Sequence, residues 1–261
     1  MVARGSAQLR PLEPVDWDAY FESAPIRLHA RVGWIDGQRA SLAGTVGRLV
    51  ELGELRMYIR TGAVLLEFAG TPQRLFSDDE VFASPAGGAL PAPPDGERHD
   101  AGDYRVATVV RLNARASAWL AALRFGTRLP TTNNRVGLDR DQTDFFALLG
   151  THHRRDRWRL GLELGLGING TRSPTFEQSD VLLYAGTLEF VSRSITPRLT
   201  IVGQDDLSAR QLRGNEDLAE LRAGLRMGRR RWVELALVRG LSTFSPRVGL
   251  LLGGGATLSW R

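Results

Sequence analysis

The sequence predicts an all-β protein, an antiparallel up-and-down transmembrane β-barrel of twelve strands with short periplasmic turns and longer extracellular loops. Three observations predict it. Apolar residues recur at every second position over stretches of ten or more residues; soluble strands usually run about five or six, whereas a tilted strand that crosses a bilayer needs about ten. The connections between these stretches alternate in length along the chain. Charge sorts with that alternation: the long connections carry Asp78, Asp79, Glu80, Asp139, Asp141, Glu177, Asp180, Glu216 and Asp217, and the short ones Arg154, Arg155, Arg229, Arg230 and Arg231.

Residues 1–24 contain Pro11, Pro14 and scattered charge and read as an irregular segment on the periplasmic side; residues 25–261 read as a single barrel domain. The expected strands are 26–34, 39–50, 54–70, 104–113, 116–126, 142–151, 156–168, 180–192, 197–206, 217–227, 231–241 and 246–260. The clearest is 156–168. Trp158, Leu160, Leu162, Leu164, Leu166 and Ile168 share one face, and Arg159, Gly161, Glu163, Gly165 and Gly167 share the other, a separation that a helix would scatter around its circumference. Ile26, Leu28, Ala30, Val32 and Trp34 alternate with Arg27, His29, Arg31 and Gly33 in the same way. Thr61-Gly62 is read as a bulge inside 54–70, because an even strand count keeps both termini on one side of the membrane. The short connections are then 51–53, 114–115, 152–155, 193–196 and 228–230; the others are 35–38, 71–103, 127–141, 169–179, 207–216 and 242–245.

Composition narrows the functions. The chain has 261 residues, no cysteine, and 34 basic residues that are all arginine. Disulfide frameworks, cysteine–metal sites, cysteine nucleophiles, lysine P-loops and Schiff-base chemistry are excluded. The net charge of +5 is spread along the chain with no basic arm, so no nucleic-acid partner is expected. In a soluble barrel the inward face is the apolar one. Here the second face is glycine, arginine and glutamate, which suits an apolar outside against lipid. Trp34, Trp119, Phe125, Trp158, Phe190, Trp232 and Trp260 fall near strand ends, where an interfacial girdle would place aromatics. Export requires a leader. A hydrophobic segment upstream of Met1 is expected, with Gly5-Ser6-Ala7 as the small-residue end of a cleavage site and Gln8 opening the mature chain.

From Leu123 to Gly150 a strand ends in Leu129-Pro130-Thr131, a polar loop follows, then Gly137-Leu138, and Thr143-Asp144-Phe145 opens the next strand. This stretch resembles bacterial outer-membrane barrels of the MetA-pathway-of-phenol-degradation type, a family of transporters. The resemblance implies an outer-membrane location, with membrane lipid and small solutes as partners; separately, the penultimate Trp260 resembles the terminal aromatic strand that the outer-membrane assembly machinery recognises. It names no solute.

Other motifs carry little chemistry. Gly165, Gly167 and Gly170 spell G-x-G-x-x-G, but Thr171-Arg172-Ser173-Pro174 follows where a phosphate-binding helix would have to start; glycines facing a narrow lumen explain the spacing, and no cofactor is expected. His152-His153 sit beside Arg154-Arg155 at a turn and offer no metal pair on one face. No His-x-Ser occurs, as a barrel phospholipase would need; His99-Asp100, Asp78-Asp79 and Asp205-Asp206 are the residues from which a barrel protease could draw. No catalytic residue is expected. The informative set is the inward charge: Arg27, His29, Arg31, Arg56, Arg105, Arg124, Arg159, Arg198, Arg222, Arg226 and Arg247, with Glu163, Glu189, Glu220 and Glu234 opposite. Two readings stand: a pore for small solutes that favours anions, or cross-strand Arg–Glu ladders that fill and close the barrel.

Overall fold

The computed structural model describes residues 9–21, 24–41, 43–82, 96–114, 117, 119–131, 136–139, 141–173, 176–208 and 215–259. A short helix, α1 (Asp18–Phe21), precedes fourteen strands: β1 (Ile26–Ala40), β2 (Thr45–Thr61), β3 (Val64–Gly70), β4 (Gln73–Val81), β5 (Glu97–Asp100), β6 (Tyr104–Arg111), β7 (Trp119–Leu129), β8 (Asp144–Arg155), β9 (Trp158–Ser173), β10 (Phe176–Phe190), β11 (Ile195–Asp206), β12 (Leu218–Gly228), β13 (Arg231–Gly240) and β14 (Val248–Leu258). All neighbours are antiparallel, and β1 pairs with β14 on one edge and β2 on the other, so the sheet closes. β3 lies along Leu55–Thr61 of β2 and β4 along Thr45–Leu52. β6 pairs with β3 and β5 with β4. β3 and β4 together, and β5 and β6 together, are therefore each one bent stave, and the closed barrel has twelve.

Burial is inverted relative to a soluble protein. In β9 Leu164 is 57% exposed and the adjacent Glu163 5%. Leu160, Leu162, Leu166 and Ile168 are exposed with it, while Gly161, Gly167 and Asn169 are buried. The same holds around the wall, for Leu28, Val32, Leu199, Leu225, Leu235, Leu250 and Leu252. Hydrocarbon demands such an exterior, since closure satisfies every interior stave's backbone and leaves only side chains to meet lipid. Trp34, Trp119, Phe125 and Trp158 are exposed on this surface, with Trp158 edge-on to Phe190 at 5.0 Å. This is a membrane-spanning barrel of the outer-membrane kind.

The structure corrects the first three expected strands. β1 runs through 35–38 and β2 through 51–53, while Thr61-Gly62 belongs to a hairpin turn in which Gly62 has φ 60°, as a glycine at the first of two turn positions allows. Positive-φ glycines mislead here: Gly37 (φ 64°) and Gly53 (φ 74°) sit where the β1–β2 register shifts, so both are bulges within strands. The Gly53 bulge breaks the alternation of β2 and so buries both Glu51 and Glu54. The total of twelve survives because each misplaced boundary moved along the chain together. Within the expected 71–103 loop, Gln73–Val81 and Glu97–Asp100 are wall, β4 and β5; residues 83–95 lie outside the described set. The expected 169–179 loop is the extended tip of β9 and β10. Trp232 is no girdle residue: it is 4% exposed and points inward, and Trp260 lies outside the described residues.

Residues 9–21 do not lie outside the barrel either. Leu9 is buried at the loop end beside Ile35, Ala40, Leu49 and Leu138. Tyr20 is buried near the turn end against Tyr58, Leu65 and Val109. The segment thus runs the length of the lumen.

The inverted wall makes a depth-dependent prediction. Leu164→Arg, in mid-strand, is expected to lower unfolding free energy by about 2–4 kcal/mol, and Met227→Arg, at the strand end beside Gly228, by about 0–1 kcal/mol. Urea unfolding of vesicle-inserted protein measures both; equal costs would contradict the assigned belt.

Candidate functional site

The lumen is the candidate site, and the segment 9–21 is its centre. Pro11 and Pro14 bar a regular helix before α1, so the chain enters extended. Its polar backbone must then be met by the wall. Arg124 donates to the Glu13 carbonyl (3.0 Å), Arg56 to the Pro14 carbonyl (3.3 Å) and Arg60 to the Tyr20 carbonyl (3.3 Å). The Val15 N–H donates to Glu163 (2.7 Å).

Its charged side chains meet arginines and glutamates in order of depth. Nearest the loops, Arg10 donates twice to Glu220 (2.8 Å each) and once to Glu51 (2.9 Å). Glu13 is held by Arg31 (2.8 Å), Arg56 (3.1 Å) and Arg222 (2.5 Å). Asp16 accepts from Arg27 (2.8 Å) and Arg226 (3.4 Å). Asp18 pairs with Arg159 and with Arg226 (3.2 Å). Between the last two, Trp17 lies on Gly150 and Gly161, where a Cβ would come within 2.6 and 2.9 Å of the indole; these two wall positions leave the space the ring fills. The Tyr20 hydroxyl donates to the Val109 carbonyl (2.5 Å).

Burial by itself pushes the Glu13 and Asp16 carboxyls up. For Glu13 the guanidiniums of Arg222, Arg31 and Arg56 outweigh it, and for Asp16 those of Arg27, Arg226 and Arg198, so both are held well below the usual carboxylate range.

Of the residues singled out from the sequence, most converge here. Arg27, Arg31, Arg56, Arg222 and Arg226 contact the segment as described. Arg124, 1% exposed, bridges Glu67 (2.9 and 2.7 Å) and Glu163 (3.1 Å), and Arg105 reaches Glu67 at 3.3 Å. Arg159 and Arg198 both face Glu189. His29 contacts Glu234 (2.8 Å) and stacks on Trp232. Arg247 does not belong: its side chain is 69% exposed at the loop end, beside Asp36. Sequence reading missed the partners supplied by the segment, and also Glu51, Glu54 and Glu67. It also missed Trp232, over whose ring Arg27 sits at 3.8 Å, a cation–π contact inside the barrel.

The protease candidates are engaged elsewhere. Asp78 pairs with Arg98 (2.9 Å), Asp205 accepts from Tyr184 (3.4 Å), and His99 is an exposed side chain beside Glu97. The G-x-G-x-x-G glycines all lie within β9, and β10 follows.

The space left around the segment is small. Cavities of about 90 and 60 Å³ flank it, room for about three waters in the first and about two in the second. At the turn end a cavity of about 530 Å³ opens, lined by Arg27, Arg154, Arg159, Arg226, Arg229 and Arg230 around Asp18 and Asp156.

No family model matches the chain, and no curated protein does. The resemblance of 123–150 to the MetA-pathway barrels therefore rests on those residues alone. Solved structures of similar architecture include the translocator domain of the autotransporter NalP from Neisseria meningitidis, with a TM-score of 0.48 and 12% identity over 91% of this chain and 90% of that one. An anion-selective porin from Comamonas acidovorans has a TM-score of 0.44 and 11% identity over 90% and 99%. OmpT, an outer membrane protein of Vibrio cholerae, has 0.38 and 8% over 91% and 100%.

Glu13→Gln is expected to lower unfolding free energy by about 3–5 kcal/mol, because it leaves buried guanidiniums short of a carboxylate; denaturant titration reads it. The pH dependence has a definite sign. Carboxyls depressed in the folded state contribute fully above the unfolded carboxylate range and lose that contribution as pH falls through their lowered values. The contribution of the Glu13 and Asp16 pairs to holding the segment is thus expected to stay level from about pH 7 to about pH 5 and to fall only in strong acid, read as amide protection at residues 13 and 16–18. Loss of protection near pH 6 would contradict the assigned pairs.

Proposed function

We propose that the chain is an outer-membrane channel for small solutes, closed by its own segment 9–21, and that the opened lumen favours anions. One observation carries this reading. The segment that fills the lumen pairs with no strand of the sheet; its described ties to the wall run through side chains, ionic at Arg10, Glu13, Asp16 and Asp18 and apolar at Leu9, Trp17 and Tyr20. Such a closure can leave without unzipping the wall. The reading needs no catalytic residue. Delivery to the membrane by the outer-membrane assembly machinery is part of it.

A second reading, a structural or binding barrel that never opens, draws on a different observation. Arg124, Glu67, Glu163 and Arg105 form a buried network across the wall strands themselves, and it remains when the segment leaves.

Planar-bilayer recording separates them. The native chain is expected to be silent or to open rarely, and a variant lacking residues 9–21 to give discrete steps with a reversal potential shifted toward the anion. A variant that inserts and stays silent would assign the barrel to the second reading.

A further inference from the structure

The charges that the segment brings are not distributed evenly, and their distribution locates a binding site. In the loop half of the lumen, Arg10, Arg31, Arg56 and Arg222 face Glu13, Glu51, Glu54 and Glu220. The segment supplies one residue of each sign there, Arg10 and Glu13, so its departure leaves the net charge of that half unchanged. In the turn half, Arg27, Arg159, Arg198 and Arg226 face Asp16, Asp18, Glu189 and Glu234. Here the segment supplies two acids and no base. Without Asp16 and Asp18, four arginines face two glutamates.

The geometry of that half is specific. One guanidinium, that of Arg226, takes both carboxylates: its Nη1 reaches Asp18 at 3.2 Å and its Nη2 reaches Asp16 at 3.4 Å. Arg27 also spans both, at 2.8 Å to Asp16 and 3.9 Å to Asp18. Arg159 closes on Asp18 from the β9 side. Two carboxylates converging on shared guanidiniums present the face of a single small dianion, and planar forks of this kind recognise carboxylate and phosphate oxygens. The site also has an entrance. The 530 Å³ cavity at the turn end is lined by Asp18, Arg27, Arg159 and Arg226, so a solute reaches these arginines without the rest of the segment moving.

We infer that Arg27, Arg159 and Arg226 form a binding site for a small soluble dianion, a dicarboxylate or phosphate, and that Asp16 and Asp18 occupy it as a built-in stand-in. This deepens the channel reading and rests on it for the passage of the solute, though binding is measured without conduction.

The test is titration calorimetry on the full-length refolded barrel with succinate and, separately, inorganic phosphate. Asp16→Asn with Asp18→Asn is expected to bind at least one of them at least about tenfold more tightly than the native chain, through charge-assisted bonds the native aspartates now make. Adding Arg159→Gln is expected to abolish that gain. Asp18→Asn alone, which disturbs less of the segment, is expected to give a smaller gain of the same kind and serves if the double variant does not fold. Binding of succinate alone or phosphate alone names the preferred oxyanion. No gain for either probe in a folded aspartate variant would overturn the site. Bilayer recording on the same protein keeps the two proposals apart: tight binding in a silent barrel keeps the site and removes the channel, whereas conduction without binding does the reverse.

Discussion

Buried arginine is the constraint on which the rest of this structure depends. A twelve-stave wall lies between barrels that side chains alone fill and those wide enough for a water-filled channel, and this one lines its lumen with guanidiniums. Arginine does not shed its proton, so each buried charge must be paired or it costs several kcal/mol. The wall supplies Glu51, Glu54, Glu67, Glu163, Glu189, Glu220 and Glu234. The segment supplies Glu13, Asp16 and Asp18. Buried ion pairs contribute little net stability over an apolar alternative, while loss of one partner is costly. Their effect here is therefore to fix where the segment sits, rung by rung, more than to hold it strongly.

Apolar contact sets the register at a second level. Trp17 rests on Gly150 and Gly161, and a side chain at either position would displace it. Trp232 lies over Gly255 in the same manner and turns its face to Arg27. The glycine richness of the sequence thus has a partly local cause: some wall positions lack side chains because an aromatic ring occupies the space inside.

What the sequence made legible follows the same physics. Strict alternation in β9, with lipid on one side and glycine and glutamate on the other, made the fold class and the strand total directly readable. Three things could not. The bulges at Gly37 and Gly53 carry the positive φ of a turn, and a single chain gives no sign that the strand continues past them. Trp232 follows the arginines of a turn and looks interfacial, yet the pleat points it inward. The segment 9–21 has two prolines and no helical or strand period strong enough to place it. Its signal was indirect: the inward set expected from the sequence held ten arginines and four glutamates, an imbalance that a closed low-dielectric lumen cannot sustain. Acids had to come from elsewhere, and the leading segment, with Glu13, Asp16 and Asp18 in six residues, was the nearest supply.

That origin also shapes how the closure can respond. A plug built on a backbone ladder would be released only by breaking the wall's own pairing. A plug held by side-chain charge exchanges its partners for whatever carries the same sign. At the loop end the exchange is neutral, because Arg10 and Glu13 leave together. At the turn end only acids leave, so anions are the species that compensate the exposed arginines. The lumen is therefore polarised along its axis by the segment's own order of charges, basic residue first and aspartates last, and the end that faces the 530 Å³ vestibule is the end at which an anion can compete.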